Sequence, residues 1–557
     1  MTPFWRLVEH FVKRLTASEE EEGTESTSLG LGMVLAILAS PGAFASILLM
    51  DKYSPLLQWL RGIRHFNAFK SSAADEYFFI VLSMTITGLV MVLRWNKLLP
   101  DRRDFWNLAV LPIPIRDVFL ANFAALLGLA FVFAIDVNAV SSFLFPIFVT
   151  MGHPTVTAFL QVAAAHAAAV FSASLFSFFA VLSLVGLLML LLPARLFRPV
   201  SVAVRMLLVV TLLSEFFSNL FLELLSGRSS AHAGSYARFL PSFWFLGVYE
   251  NVLHTAQPAI AQLGNQALAA LAASIVIAVA AYSLCYRRHF LRLAESFDTL
   301  GGSRHVSRLP LPQWLGRVLF RSRFEEACSR FSLKVLLRSE RHVMLFGGYL
   351  GIGLVIVAQA LFDRTNNVLE VPLLLTFFLI SGLRLVFETP AVLAANWVFR
   401  TAPTHPHPSP EAMARRFLRL AVLPWQAAIL APIAAHRLGW PAGLKITAMD
   451  MALSVLAIDL LLWNFHKIAF TYIARPDAKQ IILRMLAALF AVALLIPLLV
   501  SVEQWALSGW LRLALIAALA GAAFFEIARR KRQRQMAEQV LTFEEGPAAA
   551  FELLKLA

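Results

Sequence analysis

The chain has 557 residues, of which 59% are hydrophobic and 15% are charged, and its mean hydropathy is +0.71. Continuous apolar runs of about 20 residues recur along it, each long enough to cross a bilayer core, which excludes a disordered chain and a soluble enzyme with a single anchor. The formal charge of +14 lies mainly between those runs, so it indicates cytoplasmic loops rather than nucleic-acid binding. We therefore predict an all-α, polytopic helical membrane protein.

Residues 1–28 are predicted to form a cytoplasmic, interfacial N-terminal segment. An amphipathic stretch from Phe4 to Leu15 is followed by the acidic run Glu19 to Glu22. The segment lacks the apolar core of a cleavable signal peptide, so we expect it to stay on the chain.

Twelve apolar runs predict about twelve transmembrane helices in two six-helix halves. The first half covers residues 29–286, a basic cytoplasmic linker with amphipathic helices covers 287–342, the second half covers 343–528, and a cytoplasmic tail covers 529–557. The run at 157–193 is long for one helix, and a bent or broken helix is an alternative there. The twelve runs lie near 29–50, 76–95, 117–136, 157–193, 201–223, 264–286, 343–362, 371–398, 418–436, 446–466, 484–500 and 509–527.

Lysine and arginine residues predict the orientation of the chain. They concentrate in the segment 94–116, in the middle linker and in the tail, which share one side if both termini are cytoplasmic. The loop 51–75 is an exception, since it carries four basic residues on the predicted outer side. We expect an integral protein of the plasma membrane (the bacterial inner membrane) with cytoplasmic termini.

The two halves follow a similar plan, which predicts a diverged internal duplication. Each half begins with an amphipathic stretch, and its second and third runs enclose a polar insert, 96–116 or 399–417. Each insert leads into a Leu-Pro pair, at Leu111-Pro112 and at Leu423-Pro424. The alternative is that such spacings arise by chance in polytopic proteins.

The first insert carries a dense charge pattern between prolines that restrict it to short helical pieces. Its charged residues are Asp101, Arg102, Arg103, Asp104 and, at its end, Arg116. Exposed charge on a rigid segment that joins two membrane helices suits contact with a soluble partner. A positively charged loop that only sets the topology is the alternative.

The order of these elements resembles the membrane subunit of the ABC-2-type exporter family. The likeness covers residues 4–15, 29–50, 76–95 and 98–120, with Pro112-Ile113-Pro114-Ile115-Arg116 before the third run. The outer segment Leu240 to Gly247, which includes Pro241, is also similar to such permeases. Family permeases usually have six spans, so twelve imply a fused pair or a divergent branch.

The resemblance implies a permease subunit of an ATP-driven exporter, coupled to its motor through the charged insert. The chain has no Gly-x-x-x-x-Gly-Lys-Ser/Thr phosphate loop, so ATP and Mg²⁺ are expected on a separate, dimeric soluble ATPase. The expected partners are thus the lipid bilayer and this ATPase, with no nucleic acid. The exported substrate is not readable from the sequence.

Ionisable residues inside the runs are candidate intramembrane sites, because charge in lipid is costly and usually functional. Glu215 and Asp459 have no partner nearby in sequence, so we predict that they line a cavity, with pairing across helices as the alternative. Arg384 and Glu388 stand four residues apart, which favours an ion pair within one helix over a polar site.

Two alternatives to an exporter remain open at this stage. The first is a secondary transporter of the major facilitator type, although the insert 96–116 is longer than that family's corresponding loop and lacks its glycines. The second is a membrane-embedded enzyme or a scaffold. We find no catalytic motif and no cofactor-binding motif, and His405 and His407 lack further ligands at metal-binding spacing. We therefore expect no catalytic, cofactor or metal site in this chain.

Overall fold

A computed structural model shows an all-α membrane protein, as predicted. The regular elements of the described residues are helices, and no strand occurs among them. The chain divides into two compact units, residues 1–305 and 306–557, and the division falls within the segment assigned to the linker. The structure describes residues 3–16, 31–62, 66–98, 108, 112–152, 154–226, 239–255, 258–295, 320, 323–362, 369–389, 410–463, 465, 468–470 and 478–535.

Unit 1 contains nine described α-helices and one short 3₁₀ turn, Trp95–Lys97. In chain order the helices are α1 (Pro3–Thr16), α2 (Leu31–Tyr53), α3 (Pro55–Leu60), α4 (Ala68–Leu93), α5 (Ile115–Val149), α6 (Val156–Leu191), α7 (Ala194–Ser226), α8 (Pro241–Val252) and α9 (Pro258–Glu295).

Unit 2 contains eight described α-helices and one π-helical turn, Gln426–Leu430. In chain order the helices are α10 (Arg323–Arg338), α11 (Glu340–Phe362), α12 (Glu370–Phe387), α13 (Pro410–Trp425), α14 (Ala431–Leu438), α15 (Trp440–Leu461), α16 (Ala478–Leu507) and α17 (Trp510–Gln535).

Each of the twelve predicted runs overlaps a helix, but fewer helices meet a strict test of length and apolar character. Within the described residues nine do so, or ten if the bent pair α10–α11 is one span. The two further runs, 29–50 and 446–466, overlap α2 and α15, which are not among those candidates. In α15 the reason is visible in the sequence, because Lys445, Asp450 and Asp459 interrupt the apolar run.

The long run at 157–193 forms one helix, α6, rather than a broken one. Thr155 caps its start by accepting a hydrogen bond from the amide N–H of Ala158 (3.3 Å), and no proline occurs before Pro193. At about 1.5 Å per residue, its 36 residues reach well beyond a hydrocarbon core. The helix is long enough to cross the bilayer and extend past it.

The amphipathic N-terminal helix α1 is docked on unit 1. Leu7, Phe11 and Leu15 recur every four residues on one face and are buried, and α1 packs against α5. On the exposed side Lys13 binds Glu9 at 2.8 Å, and this hydrogen bond and charge hold the pKa of the Glu9 carboxyl below its usual value. The helix therefore buries one face and leaves the other for solvent or headgroups.

In unit 1 the helices α4 and α6 form the centre of the packing. Each contacts α5, α7 and α8, and the two also contact each other. Helices α8 and α9 approach most closely at two glycines: a Cβ on Gly247 would lie 2.4 Å from the backbone nitrogen of Gly264. Only glycine allows two backbones this close, so this pair fixes how α8 sits on α9.

Unit 2 is arranged around α12 and α15. Both pack against α13 and α16, and they also contact each other. Gly439 has φ +85°, which lets the chain turn sharply from α14 into α15, and the turn brings Gly443 against the backbone of Ala435. As in unit 1, two helices form the centre of the packing. The amphipathic helix α10 contacts α13, the helix that follows the polar insert 399–417.

Candidate functional site

The structure describes the two ends of the first polar insert but not its charged centre. Asp101, Arg102, Arg103 and Asp104 lie outside the described residues. Arg116 is described, and its side chain is exposed in the first turn of α5. The predicted contact with a soluble partner therefore stays a prediction for these residues.

A buried hydrogen-bond network, which we call the first junction, ties the ends of this insert to three helices. Arg14 of α1 donates to the carbonyl oxygen of Lys97 (2.6 Å) and to the side-chain oxygen of Asn122 in α5 (3.3 Å). The amide nitrogen of Asn122 donates to the carbonyl oxygen of Leu98 (3.2 Å) and to the hydroxyl of Tyr282 in α9. Asn122 is fully buried, and both ends of its amide are used.

Unit 2 has a comparable arrangement, the second junction, around the insert 399–417. At the end of the insert, Arg416 of α13 binds Glu325 of α10 through two contacts, at 2.9 and 3.2 Å. Before the insert, His342 of α11 donates through Nε2 to the carbonyl oxygen of Thr389 (3.0 Å). Glu325 and His342 are buried.

The two junctions share a physical property. In each unit a charged side chain joins the amphipathic helix to the helix that follows the insert, and a buried hydrogen bond holds the carbonyl end of the preceding helix. A charge-assisted hydrogen bond is roughly twice as strong as a neutral one. A displacement of either insert would therefore move several membrane helices together.

The predicted intramembrane residue Glu215 is paired across helices. Ser242 of α8 donates its hydroxyl hydrogen to the Glu215 carboxylate in α7, and the Ser242 oxygen lies 3.1 Å from the hydroxyl of Tyr77 in α4. Three helices thus meet at one polar contact. In the structure, Glu215 thus takes part in a contact between helices, which was the alternative to a contact with substrate.

Asp459 is also paired across helices, and its partners are two arginines of α13. Arg415 Nε lies 2.9 Å from one carboxylate oxygen, and Arg419 Nη2 lies 3.2 Å from the other. Arg384 and Glu388 form the expected ion pair within one helix at 2.8 Å. The partners of Asp459 could not be found from the local sequence, because they are 40 and 44 residues away in α13, which packs beside α15.

Sequence reasoning missed a buried polar cluster of unit 1. Asp75, Glu76 and Tyr77 are consecutive in α4 and buried, and each faces a different helix. Lys52 of α2 binds both Asp75 oxygens at 2.7 Å, and Tyr53 donates to the same carboxylate. The predicted run began at residue 76, so Asp75 was assigned to the loop 51–75, and Glu76 and Tyr77 stood at the edge of the run.

Glu76 is held by His166 of α6, and both side chains are fully buried. His166 Nδ1 lies 2.6 Å from one Glu76 oxygen, and Nε2 lies 3.2 Å from the hydroxyl oxygen of Ser141. The Ser141 hydroxyl donates to the carbonyl oxygen of Asn138, so Nε2 carries a hydrogen and donates to Ser141. His166 Nδ1 and the Glu76 carboxyl group thus form a direct contact between α6 and α4.

A lone histidine within an alanine-rich apolar run was the available signal for this pair. His166 stands between Ala165 and Ala167, far from either end of α6. An ionisable side chain at such a position needs a partner from another helix, because lipid offers none. His405 and His407 lie outside the described residues.

Comparisons with known proteins find no match: no protein family, no curated protein and no solved structure is similar to this chain. The function therefore has to be argued from the residues and their geometry.

Proposed function

We propose that the chain is the transmembrane permease subunit of an ATP-driven, ABC-2-like exporter in a plasma membrane. ATP and Mg²⁺ would be bound by a separate dimeric ATPase, which would contact the polar inserts 96–116 and 399–417. The first junction is the single observation that supports this proposal most, because it connects the described ends of a charged insert to buried parts of the membrane helices.

The junction supplies a route for mechanical coupling. A force on the insert acts at Lys97 and Leu98 on one side and on the start of α5 on the other. Hydrogen bonds of Asn122 and Arg14 connect these two points, so a force on one end of the insert is passed to the other end. The hydrogen bond to Tyr282 carries the displacement to α9, which packs against α6 and α8.

A secondary transporter is the second candidate, and one observation favours it. Glu76 and His166 are fully buried within candidate membrane spans, and their side chains lie 2.6 Å apart. Buried titratable pairs of this kind occur in proton relays of transporters. This candidate needs no ATPase, so the two proposals differ in what binds the chain.

Co-purification of the tagged chain in mild detergent tests the proposal. We expect a soluble ATPase in stoichiometric amount, lost when Asp101, Arg102 and Arg103 are changed together to alanine. If no ATPase co-purifies with the wild-type chain, the exporter proposal fails, and uptake driven by a proton gradient becomes the measurement of choice.

A second variant separates binding of the ATPase from coupling. Asn122→Ala removes the centre of the first junction but leaves the insert itself intact, so the ATPase should still bind. In proteoliposomes we expect the ATPase bound to this variant to hydrolyse ATP at the same rate as the free ATPase. Asn138→Ala is the matched control, because Asn138 is a buried asparagine of the same helix that bonds only to its own helix, at Ala134. Equal behaviour of the two variants would remove the junction from the mechanism.

A further inference from the structure

Two carboxyl groups meet inside unit 2, and within the described residues no basic side chain pairs with either of them. Asp450 of α15 and Glu503 of α16 are within hydrogen-bonding reach of each other, and their exposed fractions are 4% and 0%. Within the described residues, one Asp450 oxygen and both Glu503 oxygens receive no hydrogen bond from a donor group. The contact joins two helices that pack against each other.

One side of the pair is apolar. Ile446 lies one turn before Asp450, and Ile496 and Val500 precede Glu503 on α16; all three are buried in one hydrophobic cluster. In such an environment two adjacent carboxylates repel each other strongly, and neither is solvated. The aspartic-protease dyad solves the same problem by keeping one proton between two carboxyl groups.

A neighbouring side chain, Gln426, also has an acceptor oxygen to which no described group donates. Gln426, at the start of the π-helical turn, is fully buried and donates both amide hydrogens, to Thr376 and to Ser454, at 2.7 Å each. Ser454 donates in turn to the backbone carbonyl of Asp450 (2.6 Å), and the side-chain oxygen of Gln426 receives no bond from the described residues. The Asp450 turn therefore lies in a polar cluster that lacks donors.

Among the side chains that the structure describes, charged groups on the neighbouring helices do not supply the missing donor. Lys445, on the same helix as Asp450, lies over the Trp510 ring at 3.6 Å, and Arg512 of α17 donates to Ser508. The other titratable groups that the argument has to consider on the packed helices are Glu370 of α12, the exposed His436 and Arg437 of α14, and Asp459 with its arginines.

We propose that Asp450 and Glu503 form a proton-binding site. One proton from water binds one carboxylate, the resulting hydroxyl donates to the other carboxylate, and the charge of the pair changes from −2 to −1. Release of that proton leaves two carboxylates in contact, which drives α15 and α16 apart. The packing of these helices thus depends on the protonation of the site, whether or not an ATPase binds the chain.

The sign of the pH dependence follows from this arrangement. The folded chain holds a proton that the unfolded chain releases above the ordinary carboxyl range, about pH 4. The stabilising contribution is present at low pH and is lost as the pH rises through the titration of the pair. An amide in place of either carboxyl copies the protonated state, because its N–H group donates to the remaining carboxylate at every pH.

Thermal unfolding of the full chain in detergent, measured between mildly acidic and alkaline pH, tests the proposal. We expect Glu503→Gln and Asp450→Asn to unfold at the wild-type temperature in acid and at higher temperatures than the wild type in alkali. Glu526→Gln, an exposed carboxyl of α17 bound to Arg530, is the control and should follow the wild type at each pH.

Infrared spectroscopy gives a second, independent measurement. The wild-type chain at neutral pH should show the C=O stretch of a protonated carboxyl group, and Glu503→Gln should lose it. If neither variant differs from the wild type with pH and the band is unchanged, the pair binds no proton. A wild-type chain that is stabilised in alkali by Na⁺ or K⁺, without the protonated band, would overturn the proposal in favour of a metal cation. If Glu503→Gln does not fold, thermal unfolding and infrared spectroscopy are both carried out on Asp450→Asn.

Discussion

The Glu76–His166 pair makes a quantitative prediction about stability. The change His166→Leu keeps the apolar volume of α6 but leaves Glu76 fully buried without its partner at 2.6 Å. The carboxyl group then has to take up a proton, because an isolated carboxylate is not tolerated in such a site. An ordinary glutamate titrates near pH 4.3, so holding it protonated costs about 3.7 kcal/mol at pH 7 and about 1 kcal/mol at pH 5.

The wild-type pair sets the reference for this figure. In the wild-type chain the His166 ring lies 2.6 Å from the Glu76 carboxyl group, so most of this cost arises only when the ring is removed. We therefore expect His166→Leu to lower the free energy of unfolding by about 3 kcal/mol at pH 7 and by only about 1 kcal/mol at pH 5. The double change of Glu76 and His166 to leucine removes both polar groups and should recover most of the loss.

The assay is unfolding of the purified chain in mixed micelles of mild detergent and increasing dodecyl sulfate, at both pH values. His436→Leu is the control, because His436 is an exposed histidine of α14 and its loss should change little at either pH. A penalty for His166→Leu that does not depend on pH, or a double variant no more stable than the single one, would refute the argument that protonation of Glu76 sets the cost.

Other predictions concern packing and ion pairs. Gly247→Ala should destabilise the chain by more than about 2 kcal/mol, because its methyl group would overlap backbone atoms. Gly128→Ala, where no atom lies within 4 Å, should be neutral or slightly stabilising in the same unfolding assay. Asp459→Asn should cost about 1–3 kcal/mol, since Arg419 loses its charge partner while Arg415 keeps Glu411, whereas Glu388→Gln should cost less than about 1 kcal/mol. Equal effects of these last two changes would contradict the distinction between pairing across helices and within one helix.

The helical architecture could be predicted because it rests on local composition. A run of about 20 apolar residues satisfies its backbone only as a helix, so each predicted run overlaps a helix in the structure. The exact number of spans was less certain, because α15 carries three charged residues and α10 and α11 meet at a bend of 76°. Charge inside a helix lowers its mean hydropathy without preventing it from packing among other helices.

The candidate sites were harder to predict, because their partners are distant in sequence. Arg384 and Glu388 are four residues apart, so helical geometry alone predicts their contact. Glu76 and His166 are 90 residues apart, and no local sequence pattern indicates that α4 and α6 lie side by side. Glu503 lies beyond the predicted run 484–500, although α16 continues to Leu507 and buries it.

The buried carboxyl groups in the described residues fall into groups that differ in what neutralises them. Asp459 has two arginines, Asp75 has Lys52, and Glu76 has His166. Asp450 and Glu503 have only each other. An arginine or lysine keeps its charge across the physiological pH range, so the first two sites hold helices together regardless of pH. A second carboxyl group does not, so we expect the contact between α15 and α16 to depend on pH. Helix α15 also packs against α12 and α13, so a change at this contact would act on the centre of unit 2.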